Sequence, residues 1–221
     1  MELKLVVPTS LDEITLDQYQ RFARIEGEGE FKQMKMLEIF CNVPFSDLPN
    51  VRLVDAVNVL NTLAKTLSEK PGLTKFIELN GTKYGFIPAL NEISLGEFVD
   101  LDSYISDWAT MHKAMSVLYR PVTKEKGERY DIEPYTATDE RDEIMKEMPA
   151  SVVLGALVFF YRLGNVLATH TLRSLAKQQT TPTQEKRSSD KSGDGINPSM
   201  HLLMEMSSNL ETLLNFPSTK L

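Results

Sequence analysis

The chain has 221 residues, 24 basic and 31 acidic, for a formal net charge of -7. That length supports one or two domains with a core that needs no disulfide or metal staple. The single cysteine, Cys41, leaves no intramolecular disulfide to form, and the acidic balance argues against broad attraction to nucleic acid or anionic membrane.

Leu3, Leu5 and Val7 alternate with other residues and predict a short opening strand that Pro8 ends. Ser10 to Glu13 and Thr15 to Gln18 both carry the capping-box pattern, a hydroxyl followed three residues later by Glu or Gln. Thr15 is the better helix start, with Leu16, Tyr19, Phe22 and Ala23 on one face and an end near Gly27. A second helix is expected from Phe31 to about Asn42, then a loop bracketed by Pro44 and Pro49. A third runs from Leu53 to Ser68, with Leu53, Val57, Leu60, Ala64 and Leu67 as its apolar seam.

Asn80-Gly81 separates two short apolar strands. It suits a type I′ turn, because both central residues of that turn need positive φ, so a β-hairpin is expected at about residues 75–88. Ser94 to Glu97 is another capping box, and helical spacing continues from Phe98 to Leu118, with a break expected near Asp102-Ser103 and an end at Arg120-Pro121. A second short hairpin is expected near residues 121–135 and a short helix from Thr138 to Met148. A long central helix should run from Ser151 to about Gln178, with Gly155 and Gly164 allowing close packing. Its apolar run from Val152 to Tyr161 is about half the roughly 20 residues a membrane span needs.

Residues 179–199 are rich in Thr, Ser, Lys, Asp, Gly and Pro and read as a flexible linker or loop. Residues 200–221 return to helical spacing. The expected architecture is therefore a predominantly helical α+β domain over residues 1–178, then the linker, then a C-terminal amphipathic helix and tail.

Catalytic parts are scarce. No P-loop, Gly-x-Gly-x-x-Gly or Gly-x-Ser-x-Gly motif occurs. His112, His170 and His201 stand apart from one another and from Cys41, without zinc-ligand spacing. Cys41 lies among Ile39, Phe40 and Val43 and reads as a buried, inert thiol. Asp100, Asp102 and Asp107 invite a divalent-metal site, against which capping and solvated-face positions are the plainer reading. Arg120 could bind an anion, although a structural salt bridge accounts for it more simply. No enzymatic activity, cofactor or metal is expected. The methionines on helical stretches suit core packing first and adaptable binding second, with Met204 and Met206 as the exception.

Four stretches together carry a resemblance: Pro8 to Leu11 with Ile14 to Gln20; Tyr84 to Pro88; Gly96 to Leu101; and Met111 to Met115 with Val117 to Pro121. This series resembles a family of small acidic morphogenesis proteins of tailed bacteriophages, most closely the tail assembly chaperone class. The resemblance spans about residues 8 to 175 and carries no catalytic signature. It implies binding to phage tail or virion proteins, the tape-measure protein foremost. It also implies residence in the host cytoplasm during assembly, with a structural component of neck, tail or baseplate as the rival and a homo-oligomer as a further option. The partner-facing residues would then be Leu203, Met204, Met206, Leu210, Leu213 and Leu214 of the last helix, which docks by its apolar face. The competing reading packs that helix on its own domain.

Overall fold

The computed structural model describes residues 5–26, 29–127 and 129–163. Seven helices and four strands are named below. They are α1 (Leu16–Ala23), α2 (Glu30–Phe40), α3 (Leu53–Leu67), β1 (Phe76–Leu79), β2 (Thr82–Phe86), α4 (Leu95–Ile105), α5 (Met111–Leu118), β3 (Tyr119–Lys126), β4 (Arg129–Ile132), α6 (Asp139–Met145) and α7 (150–163). The fold is α+β and mostly helical, as the sequence predicts, with both expected hairpins present in one antiparallel sheet of order β1-β2-β3-β4.

Two of the three capping boxes close as the local sequence predicts, whereas at Ser10 the Oγ accepts from the Asp12 N–H and the Glu13 carboxylate accepts from the Thr9 N–H. Thr15 accepts from the Gln18 N–H while the Gln18 side chain accepts from the Thr15 N–H, and Ser94 and Glu97 repeat the arrangement at α4. Asn80 and Gly81 take φ values of 50° and 74°, as the type I′ turn between β1 and β2 requires. One face of the sheet buries Tyr84, Phe86 and Tyr119, and Phe86 meets Phe159 and Phe160 of α7 at ring-centroid distances of 5.8 and 6.1 Å. On the other face the Tyr130 ring lies over Gly85, where an added Cβ would stand 2.8 Å from it. The predicted close approach at Gly155 is also present, against the Gly72 backbone just beyond α3 rather than against another helix.

Several expectations are corrected. Residues 5–9 form no strand. Leu5 and Val7 pack partly buried against the core while Val6 is exposed, so the alternation reflects packing without a ladder partner. Helix α1 stops at Ala23, before Gly27, because the Ile25 N–H turns back to the Phe22 carbonyl and Ile25 packs on the core. Residues 45–50, expected as loop, form a 3-10 helix.

The break in the long 94–118 segment falls at Ser106–Asp107, not Asp102-Ser103. Ser103 Oγ donates to the Val99 carbonyl at 2.7 Å and stays in the helix, whereas the Asp107 carboxylate caps the next turn by accepting from the Ala109 N–H. Arg120-Pro121 does not terminate a helix either. Helix α5 ends at Leu118, and β3 runs through Pro121, whose carbonyl accepts from the Glu133 N–H.

The apolar seam expected on α3 holds only in its later part. Leu60, Ala64 and Leu67 of the expected seam are buried or partly buried, beside Ala56, Val59, Leu63 and Thr66, while Leu53 and Val57 are exposed. Helix α3 carries more apolar residues than one face can bury, so sequence spacing alone misplaces the N-terminal part of the stripe.

Candidate protein-binding surface

The residues singled out for partner binding, Leu203, Met204, Met206, Leu210, Leu213 and Leu214, lie outside the described residues. So do the 179–199 linker and two of the histidines, His170 and His201. The described part presents a different apolar surface. On the first turns of α3, Leu53, Val54 and Val57 are 78%, 70% and 46% exposed. They form one patch, because Val57 lies four positions after Leu53 and three after Val54, and residues at those spacings are neighbours on a helix surface. The Arg52 guanidinium holds the Asp55 carboxylate at 2.7 and 3.1 Å beside this patch.

A second exposed apolar pair joins α2 to the 3-10 turn that leads into α3. Phe31 and Phe45 stand 6.3 Å apart, with the Lys35 ammonium 5.9 and 4.8 Å from their ring centroids and ion-paired to Glu38 at 2.6 Å. On α4, Leu95 and Val99 are also exposed, four residues apart on one face. An open groove of about 560 Å³ lies elsewhere, between residues 6–9 and α1, lined in part by Asp17 and Arg21, which are 3.7 Å apart as an ion pair.

The groups weighed for chemistry are dispersed or occupied. Asp100 accepts from the Tyr135 hydroxyl at 2.8 Å, Asp102 is exposed, and Asp107 caps a 3-10 turn. Among the described residues no three His, Cys, Asp or Glu side chains gather as a metal site would require. Cys41 is buried, and burial pushes its thiol up to about 11, away from thiolate at neutral pH. Arg120 makes the structural ion pair expected of it, with Glu97 at 2.7 Å, and both side chains are more than nine-tenths buried. Burial pushes the Glu97 carboxyl up, but hydrogen bonds to Ser94 and the Arg120 charge outweigh it and hold the group below its ordinary value.

His112 is buried too, in a polar junction that the sequence reading missed. Gln20 Nε2 donates to the Trp108 carbonyl at 2.5 Å and lies 3.0 Å from His112 Nδ1. The available signal was Gln20 itself, a polar residue four positions after Leu16 and therefore on the apolar face of α1. A second buried pair, Ser116 and Asp142, ties α5 to α6.

No family model matches the chain, and comparison with curated proteins and with solved structures gives no match to either. What the described residues define is a mostly helical α+β body with exposed apolar side chains concentrated on α2, α3 and α4.

Proposed function

We propose that the chain works by binding other proteins during assembly of tailed-bacteriophage particles, as a tail assembly chaperone that holds an apolar helical segment of the tape-measure protein. The observation that carries this reading is the patch of Leu53, Val54 and Val57. Three large aliphatic side chains left in water on one helix end make an unusual surface, and such patches favour protein contacts. The phage setting rests on the resemblance of residues 8 to 175 to that class of morphogenesis protein. A helix laid into an apolar surface is a recurrent mode of capture and needs no catalytic group.

The test is the double variant Leu53→Asp, Val54→Asp, co-expressed with the tape-measure protein of the same phage. Both side chains are largely solvated, so stability should change by no more than about 0.5 kcal/mol each. Co-purification of the tape-measure protein should be lost. Retained co-purification with the variant at wild-type stability rules out this surface as the binding site.

A further inference from the structure

We propose that the contact between Gln20 and His112 is a pH-sensitive joint, holding α1 against α5 and the turn after α6 while the imidazole is neutral and loosening when it gains a proton. The geometry fixes which way the contact is made. The Trp108 carbonyl can only accept, so the Gln20 group 2.5 Å from it is the amide nitrogen. That same nitrogen faces His112 Nδ1, which must therefore be the unprotonated ring nitrogen. A proton placed on Nδ1 would meet the Gln20 N–H. Turning the carboxamide over gives Nδ1–H an acceptor but sets Gln20 Oε1 against the Trp108 carbonyl. Neither arrangement satisfies all three groups, and Gln20 is only 3% exposed, so water does not readily relieve the conflict.

The groups around His112 come from every side of this joint. Lys113 is its neighbour on α5, Asp142 and Glu143 lie on α6, Lys146 follows α6, and Arg24 at the end of α1 donates to the Ala109 carbonyl. Asp142 is engaged by Ser116, and Glu143 holds Lys146 at 2.6 Å. Burial is the largest influence on the imidazole and Lys146 the next, and both favour the neutral form. Asp142 and Glu143 oppose them without reversing the direction, so the ring sits below its ordinary value of 6.5. The open joint therefore binds the proton better than the closed one. The closed state has its full advantage above pH 6.5 and loses it as pH falls toward the lower value of the closed joint.

The consequence is confined to a particular seam. Besides Gln20, α1 is held there by the Leu16 N–H on the Met148 carbonyl, the Asp17 N–H on the Lys146 carbonyl, and the Tyr19 and Trp108 rings at 4.6 Å. Loosening this seam frees the layer of α1 from α5 and the turn after α6 while leaving the sheet intact.

Hydrogen exchange of the α1 amides, followed from about pH 7.5 to pH 5 and corrected for intrinsic rates, tests this on the full chain. The opening constant should rise by up to about tenfold per pH unit below 6.5, one proton being taken up on opening. In His112→Asn the amide oxygen replaces Nδ1 as an acceptor that does not titrate, and the pH dependence should vanish. Should the variant not fold, the ring of wild-type His112 is titrated by NMR, with a midpoint below 6.5 expected. Opening independent of pH, the same dependence in the Asn variant, or a midpoint at or above 6.5 overturns the proposal.

Discussion

Glu97 joins two parts of the chain through one carboxylate. One oxygen accepts from the Ser94 N–H at 2.7 Å and closes the cap of α4, and the other meets Arg120 of β3 at 2.7 Å. Glu97→Gln keeps an acceptor for Ser94 but leaves the buried Arg120 charge unpaired. A loss of about 3–5 kcal/mol is expected in a denaturant titration, the usual cost of breaking a buried pair from one side. The Glu97 carboxyl is lower in the fold than in the unfolded chain, so the wild-type pair stabilises most above pH 4.5 and weakens as pH falls through its folded value. The variant should lack that acid-dependent component. The capping half of this arrangement was legible in Ser94 to Glu97, and Arg120 was expected in a salt bridge. Its partner was not legible, because only the folding of β3 beside α4 brings positions 97 and 120 together.

Elements were readable where the signal is local. Capping boxes, the Asn80-Gly81 turn and both hairpins follow from a few adjacent residues whose backbone demands are specific. The α3 seam was misread at its start because Leu53 and Val57 continue the apolar spacing on a side that the described residues leave open, and spacing does not reveal what lies opposite a helix. Gly155 shows the same limit from the other direction. A close approach was legible, but its partner, the Gly72 backbone, was not. Because backbone yields less than a flexible side chain, Gly155→Ala should cost about 1–3 kcal/mol by overpacking. Thermal unfolding of the variant checks this, and an unchanged midpoint would mean that α7 shifts freely away from residue 72.

At the scale of the molecule, the chain carries a net charge of -7, and among the described residues most of the exposed large apolar side chains lie on α2, α3 and α4. The residues expected from sequence to bind, Leu203 to Leu214, lie outside the described residues, and the exposed apolar patch on α3 was not legible because an exposed apolar residue looks like a core residue in sequence. Among the described residues no helix is long and apolar enough to cross a membrane. The proposed chaperone activity makes one demand that a structural virion component does not share: the chain must leave before the particle is complete. Protein mass spectrometry of purified phage particles, set beside the lysate from which they came, measures this directly. A chaperone is expected in the lysate and absent from the particles, whereas its presence in every particle in many copies would contradict that role.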